Sequence, residues 1–148
     1  MEIRFYHLQR TTLEKALPQL LEKVLARGQR AVVMAGSPER VEALTVHLWT
    51  YNERSFLPHG NARDGFASEQ PIWLTDVDER PNGAEVLFLT DGATSARIDE
   101  YAMVVEMFDG NDPAAVTAAR ARWTAYKAQG HTLTYWRQDD AGRWTRQG

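Results

Sequence analysis

Residues 31–38, AVVMAGSP, are the part of this chain of 148 residues that most clearly indicates its fold. Residues 31–35 are apolar without a break, as in a strand that is buried on both faces of a parallel sheet. Ser37 is a residue type preferred at helix N-caps, and Pro38 suits the first helical turn, where no amide hydrogen is needed. The stretch therefore predicts a strand, a tight turn and a helix, which is the repeating unit of an α/β domain.

The same alternation continues along the rest of the chain. Thr12 precedes leucines at helical spacing and Gly28 follows them, so a helix is expected between the two. Asp112 and Pro113 are expected to start a long helix that ends at Gly130. Further strands are predicted at residues 2–8, 72–74, 86–89, 103–107 and 131–137, with a loop at 58–70, a turn at 81–83 and a polar tail after 142.

These elements predict one α/β domain over residues 1–148, with a mainly parallel sheet and helices on both of its faces. The order of the elements is that of a mononucleotide-binding domain. Connections 60–70 and 75–85 show no helical pattern, so we expect an antiparallel segment in this region.

Composition excludes several classes of protein. Cysteine is absent, which excludes disulfides, thiolate zinc sites and a cysteine nucleophile. The chain has no run of about 18 apolar residues and no basic start followed by an apolar stretch, so we expect a cytoplasmic protein without a membrane segment. A net charge of −3 argues against strong generic binding to nucleic acid. The charge is uneven, since residues 61–112 carry 3 basic and 12 acidic groups and residues 113–148 carry 6 basic and 2 acidic ones.

No motif predicts a catalytic residue, a metal site or a cofactor. The turn at residues 35–38 has one glycine, and Pro38 lacks the amide hydrogen that a phosphate-binding turn would donate. Neither the dinucleotide glycine pattern nor the P-loop lysine motif occurs. No two histidines have the i, i+4 spacing of a helical zinc site, and His59 is expected to order its loop by hydrogen bonding.

Two aspartates leave one enzymatic alternative open. Asp91 and Asp109 each follow an apolar strand, and carboxylates at the carboxyl ends of neighbouring strands can hold magnesium. Each is also followed by glycine, and Asp-Gly is a common turn pair. The turn interpretation is favoured because no lysine motif or second acidic cluster completes a metal site.

A first candidate docking surface follows the second helix. Residues 48–51 read LWTY and residues 55–60 read SFLPHG, which should leave Trp49 and Phe56 near the surface beside a turn fixed by Pro58. Exposed aromatic side chains beside a rigid turn are typical of a protein-docking site.

A second candidate surface lies on the C-terminal helix, which is basic between residues 119 and 127. A helical wheel places Val116, Arg120, Trp123 and Lys127 on one side, where they could hold an apolar side chain beside a carboxylate. If the alanine side faces the sheet, Trp123 is exposed between two cations. The alternative is that Trp123 packs inward and the cations extend around it. The opposite, alanine side comprises Ala114, Ala118, Ala121, Ala125 and Ala128.

The chain resembles the chi subunit family of the bacterial DNA polymerase III holoenzyme. The resemblance covers nearly the whole chain, and its most specific element is a Leu-Trp pair followed by Ser-Phe-x-Pro-His. It rests on Phe5-Tyr6, Leu48-Trp49, residues 55–59, the helix from Ala119-Arg120 to Tyr126-Lys127, and the closing Gly130.

This resemblance implies a non-catalytic subunit that needs no cofactor and has lost the phosphate-binding loop. It implies a pocket for the acidic C-terminal tail of single-stranded DNA-binding protein, so that DNA is contacted only indirectly. It also implies a surface for the psi subunit, which connects to the clamp loader. Carried over by position, the tail pocket comprises Val116, Arg120, Trp123, Thr124 and Lys127, and the surface for psi or another partner comprises Trp49, Phe56, Leu57 and Pro58. The chain departs from the family at Thr124, where members can carry lysine, and at Val116, near which members can carry a basic group.

The main hypothesis is therefore an accessory subunit that links the clamp loader to protein-coated single-stranded DNA during replication. One alternative is a small magnesium- or nucleotide-dependent enzyme using Asp91 and Asp109. The other is an adaptor for a repair helicase, which would use the surface around Trp49.

Overall fold

A computed structural model describes residues 1–52 and 56–147 of the chain. Strands and helices alternate through most of this part, as expected for an α/β domain. The strands are β1 (Glu2–Leu8), β2 (Ala31–Met34), β3 (Gly60–Asn61), β4 (Ile72–Thr75), β5 (Val86–Leu89), β6 (Met103–Asp109), β7 (Thr132–Gln138) and β8 (Trp144–Arg146). The helices are α1 (Leu13–Ala26), α2 (Pro38–Thr50) and α3 (Pro113–Ala128), with 3₁₀ turns at Ala67–Glu69 and Ile98–Glu100.

The strands form one sheet in the order β3-β4-β2-β5-β6-β1-β7-β8. Every described pairing is parallel except that of β7 with β8. The predicted fold class, an α/β domain with a mainly parallel sheet, is thus confirmed. The short strand β3 lies in the segment 58–70 that was predicted to be entirely loop, and it pairs with β4.

The antiparallel segment was predicted in the wrong place. The connections 60–70 and 75–85 each lead into a strand that runs parallel to β2. The first of these strands, β4, pairs with one edge of β2, and the second, β5, pairs with the other edge. The antiparallel pair instead includes β8, in the predicted polar tail. The Asp139 carboxylate accepts hydrogen bonds from the amides of Ala141 and Arg143, and Gly142 has the positive φ of 82° that this turn requires. Trp144 then packs edge-on against Tyr6, with ring centroids 4.9 Å apart, so the tail has an apolar anchor.

Apolar side chains on the two faces of the sheet form two cores, which explains the uninterrupted apolar runs of β2, β4 and β5. Val33 packs with the core under α1 and α2, whereas Val32 and Met34 pack with the core on the α3 side. Successive strand residues point to opposite faces, so a strand covered on both faces needs apolar residues throughout. Helices on both faces of the sheet, as predicted, follow from this arrangement.

The helix starts agree with the predicted caps. The Thr12 hydroxyl accepts a hydrogen bond from the Lys15 amide at 3.3 Å, and the Ser37 hydroxyl accepts one from the Arg40 amide at 3.2 Å. The Asp112 carboxylate caps α3 by accepting from the Ala114 amide at 3.0 Å. Among the helices in the described part of the chain, none is both long enough and apolar enough to cross a membrane.

The rotation of α3 differs from the first of the two wheel interpretations. Ala119 and Tyr126 are buried against the sheet, whereas the whole alanine side, Ala114, Ala118, Ala121, Ala125 and Ala128, is exposed. The physical reason is Glu106 on β6, which is only 1% exposed. Arg122 Nε donates to its carboxylate at 2.8 Å and the Tyr126 hydroxyl donates to it at 3.2 Å. A buried carboxylate requires such partners, so α3 turns its polar partners inward and leaves the alanines outside.

Removing Arg122 should destabilise the fold in a pH-dependent way. Arg122→Met leaves the Glu106 carboxylate buried and unpaired, which costs about 3–5 kcal/mol of unfolding free energy near neutral pH. Burial already raises the pKa of Glu106 above its ordinary value, against the opposing effect of Arg122. A carboxyl with a raised pKa contributes its full stability below its unfolded pKa of about 4.3 and loses it as the pH rises through the folded pKa. The loss caused by Arg122→Met should therefore be larger at about pH 8 than at about pH 5, as measured by urea denaturation.

The double variant Arg122→Met/Glu106→Gln is the matched control. It carries no unpaired buried charge, so it should recover part of the lost stability and show a weaker pH dependence. Equal destabilisation by Arg122→Met at both pH values would contradict the pairing of Arg122 with an ionised Glu106.

Candidate functional site

A groove lies beside α3 on the face of the sheet formed by β1, β6 and β7. Its volume is about 380 Å³. Four of the five residues predicted for the tail pocket, Val116, Arg120, Trp123 and Thr124, line it together, whereas Lys127 is not among its lining residues. We call it the α3 groove, and its lining is Phe5, Phe108, Val116, Ala119, Arg120, Trp123, Thr124 and Tyr135.

The floor of the α3 groove is aromatic. Trp123 packs edge-on against Phe5, with ring centroids 5.2 Å apart, and lies 6.0 Å from the ring of Tyr135. Of the two sequence-based interpretations, the one in which Trp123 packs inward is correct. The indole is nevertheless only half-buried, and its remaining surface faces the groove. Trp123 therefore contributes both to the core and to an apolar surface that a ligand can contact.

A free cation stands at the rim of the α3 groove. Arg120 is exposed, and no side chain within the described ranges forms an ion pair with its guanidinium. The Thr124 hydroxyl donates to the Arg120 carbonyl oxygen at 3.1 Å, so it stays on the helix and adds no charge. Lys127 is exposed further along α3 and adds positive charge outside the groove. The groove thus combines an apolar floor with an unpaired guanidinium.

His7 holds Tyr135, which forms one wall of the α3 groove. The His7 Nδ1 atom is hydrogen bonded to the Tyr135 hydroxyl, which joins β1 to β7. Burial, followed by the positive charges of Arg137 and Arg120, lowers the pKa of His7, so the ring is neutral at pH 7. A Cβ atom at Gly110 would lie 2.0 Å from His7 Nε2, so only glycine fits there. The side chain of His7 therefore has a structural role that positions Tyr135.

The prediction from the sequence missed four lining residues, Phe5, Phe108, Ala119 and Tyr135. The alternation of β7 could have placed Tyr135 on the same face as Leu133. That this face lies beside α3 depends on the pairing of β7 with β1, which no local pattern shows.

The second candidate surface is formed by Trp49 and Phe56, which are 52% and 68% exposed. Their ring centroids lie 5.6 Å apart, and the Trp49 ring lies 4.4 Å from that of His59. Pro58 is half-buried beside them. We call Trp49, Phe56, Pro58 and His59 the aromatic corner. The predicted exposure of the two large aromatic residues is confirmed, and Ser55 of the predicted motif lies outside the described residues.

Leu57 does not belong to this surface, so its assignment to a partner interface was wrong. Its side chain is 2% exposed and packs in the core under α1 and α2. The neighbouring residues Phe56 and Leu57 thus face opposite environments, the first solvent and the second the core. His59, as predicted, orders the loop, since its ring nitrogens lie 2.5 Å from the Leu57 carbonyl oxygen and 2.9 Å from that of Thr45.

Asp91 is held by structural contacts at the carboxyl end of the sheet. It has a φ of 55°, and its Oδ2 atom accepts from the Gly36 amide at 3.3 Å and from Arg40 Nε at 3.1 Å. The hydrogen bond that Arg40 donates to Asp91 raises the pKa of Arg40. The Gly36 amide, which could donate to a phosphate at this turn, thus donates to the Asp91 carboxylate instead.

Asp109 also has a structural role. Its Oδ1 atom accepts from the Asn111 amide at 2.9 Å and forms the turn that leads into α3. Asp91 and Asp109 line one cleft of about 650 Å³. Within the described ranges, however, no three His, Cys, Asp or Glu side chains are grouped in a way that could hold a metal ion. The geometry therefore favours the turn interpretation of both residues.

Comparisons with known proteins agree with the resemblance noted in the sequence. The family model described as "DNA polymerase III chi subunit, HolC" matches residues 1–134, which include α3 and the aromatic corner. A protein of Rickettsia prowazekii (strain Madrid E) named "Probable DNA polymerase III subunit chi" is 33% identical over 106 residues. The match covers 70% of this chain, and it spans 64% of the length of the relative. The chain therefore belongs to the DNA polymerase III chi subunit family.

Proposed function

We propose that this chain is a non-catalytic accessory subunit of DNA polymerase III that links the clamp-loader complex to single-stranded DNA-binding protein during replication. Family membership supports a role in replication. The observation that carries the link is the α3 groove, in which an unpaired Arg120 stands beside the apolar surfaces of Trp123 and Val116.

The α3 groove suits the end of an acidic, partly apolar peptide. The Arg120 guanidinium is a planar fork that pairs with a carboxylate through two hydrogen bonds. The aromatic floor removes an apolar side chain of the peptide from water, which favours binding in proportion to the area buried. A short tail buries little area, so one site should bind with an affinity on the order of micromolar.

Many tails on coated DNA would compensate for modest affinity. Each bound molecule of single-stranded DNA-binding protein presents further tails nearby, and a high local concentration of binding sites raises the effective affinity. DNA itself is contacted indirectly in this scheme.

The aromatic corner is proposed as the surface for the psi subunit or another partner in the clamp loader. Trp49 and Phe56 expose large apolar areas side by side, and such aromatic residues are enriched among the side chains that dominate protein interfaces. A repair helicase is a second candidate partner for the same corner, since the surface does not distinguish between the two.

Arg120→Ala should weaken binding of an acidic C-terminal peptide by about 1.5–3 kcal/mol, the range for a hydrogen bond to a charged group. Wild-type binding should also weaken as salt rises, because the pair is exposed and screened. Isothermal calorimetry with the peptide measures both effects. Arg63→Ala is a suitable control, since Arg63 is exposed on another part of the surface and pairs with Glu42. Unchanged affinity in folded Arg120→Ala would show that the tail binds elsewhere.

Trp49→Ala and Phe56→Ala should each reduce binding of the clamp-loader partner by about 2 kcal/mol or more, as for interface hot spots. Because both side chains are largely exposed, neither change should cost the 3–5 kcal/mol of unfolding free energy expected for a buried aromatic residue. Leu57→Ala is the contrasting variant and should destabilise the fold by about 2–5 kcal/mol. Co-purification and chemical denaturation test the two effects separately, and severe destabilisation by Trp49→Ala would argue against the interface.

The isolated chain should hydrolyse no nucleoside triphosphate and should polymerise no DNA, because Asp91 and Asp109 are engaged in structural contacts. Coupling to coated single-stranded DNA should be lost when the tail of the binding protein is removed. Phosphate release with magnesium and surface-based binding to coated DNA are the measurements. Magnesium-dependent turnover that is abolished by Asp91→Asn would contradict the proposed accessory role and would support the enzymatic alternative.

A further inference from the structure

A second groove lies on the opposite face of the sheet from the α3 groove, between α1 and the hairpin of β7 and β8. Its volume is about 440 Å³, within the range of small-ligand sites. We call it the basic groove because its lining contains four cations and no acidic residue. The lining is Arg4, Tyr6, Leu20, Lys23, Val24, Arg27, Phe88, Met103, Val105, Trp136, Gly142, Arg143 and Trp144.

The cations surround the basic groove on several sides. Lys23 and Arg27 extend from the last turns of α1, Arg4 lies on β1, and Arg143 lies on the hairpin. Glu2 pairs with Arg4 at 2.8 Å, and Asp139 pairs with the highly exposed Arg143 at 3.8 Å. In the part of the chain that the structure describes, Lys23 and Arg27 form no ion pair. On a chain of net charge −3, this is a local concentration of positive charge.

Two indoles and a phenol accompany the cations. Trp136 stacks on Tyr6 with an interplanar angle of 14°, and Trp144 contacts Tyr6 edge-on. The Trp136 indole donates its hydrogen to the Thr134 hydroxyl at 2.9 Å, so what it offers a ligand is its apolar ring. The Arg4 guanidinium lies 5.6 Å from the centroid of that ring. Trp136 and Trp144 are both half-buried and therefore remain partly accessible.

We propose that the basic groove binds a short segment of single-stranded nucleic acid. Flat aromatic rings beside cations that track a polyanion are the features by which proteins hold single strands without sequence preference. The cations would contact phosphates, and the exposed indole surface would stack a base. An acidic peptide fits less well, because carboxylates use only the cations and leave the indoles without flat partners. The proposal goes beyond tail binding, which needs no contact with the strand itself.

The two grooves are separate and lie on opposite faces of the same three strands, β1, β6 and β7. Tyr135 faces the α3 groove and Trp136, the next residue, faces the basic groove. A tail and a bare strand could therefore be held at the same time on opposite faces of β7.

The test is fluorescence anisotropy of a labelled oligothymidylate of about eight nucleotides, titrated with the full chain at several salt concentrations. Binding should be weak, with a dissociation constant on the order of 10⁻⁴–10⁻⁶ M at physiological salt. The logarithm of the binding constant should fall by about 0.7 per tenfold rise in salt for each phosphate neutralised. Lys23→Ala/Arg27→Ala should weaken binding and make this slope shallower by about 1.4.

Matched controls separate a site from a general charge effect. Lys15→Ala/Arg63→Ala removes the same charge from exposed positions outside the groove and should leave binding nearly unchanged. An abasic oligonucleotide of equal charge should bind at least about fivefold more weakly, because no base can stack. Arg120→Ala should leave oligonucleotide binding unchanged, which keeps this test independent of the proposed tail pocket.

Three results of these comparisons would overturn the proposal. They are equal weakening by the two double variants, equal affinity for the abasic strand, and equal competition by a polyglutamate peptide of the same length. Either of the first two results would show that the oligonucleotide is attracted by the overall charge and not held in the groove. The third would show that the groove binds acidic peptides equally well. Absence of any saturable change in anisotropy at low salt would also exclude the site.

Discussion

The hydrogen-bonded pair of Glu106 and Arg122 is the interaction on which the arrangement of the functional surfaces depends. Glu106 lies in the middle of the sheet, and its carboxylate needs partners that only α3 supplies. Satisfying it fixes the rotation of the helix, because Arg122 and Tyr126 must both face β6. The same rotation brings Val116 and Trp123 to the edge of the sheet and leaves Arg120 at the rim. The position of the α3 groove is therefore a consequence of burying one charge.

At the carboxyl end of the sheet, the protein's own side chains occupy the turn after β2. In nucleotide-binding folds the turn after a central strand presents amide groups to a phosphate. Here Pro38 removes one donor, and the Asp91 carboxylate accepts from Gly36 and Arg40. A phosphate at this turn would be repelled by the Asp91 carboxylate, which is already paired with Arg40. The two candidate surfaces lie elsewhere, beside α3 and at the end of α2.

The candidate surfaces differ in chemistry, which suits different partners. The α3 groove offers an apolar floor with one free guanidinium, whereas the aromatic corner offers the exposed rings of Trp49 and Phe56. The basic groove combines several cations with half-buried indoles. The first two surfaces lie within the residues that match the chi subunit family model. The third concentrates positive charge on a chain whose net charge is −3.

The fold class could be predicted from local patterns, because hydrophobic periodicity and helix capping involve residues that are close in sequence. Residues 31–38 indicate a buried strand followed by a capped helix, and Trp49 and Phe56 follow that helix in a pattern that predicts exposure. The buried face of α3 could not be predicted in this way. From the helix alone, either the alanine side or the side with Arg122 could face the sheet, and the contact of Arg122 with Glu106 on β6 selects the second. The tertiary structure also decided that Leu57 is core, that residues 144–146 form a strand, and that Tyr135 and Trp136 face different grooves. These features depend on pairings between segments that are distant in sequence. The local residue pattern of one segment does not show which other segment it will contact.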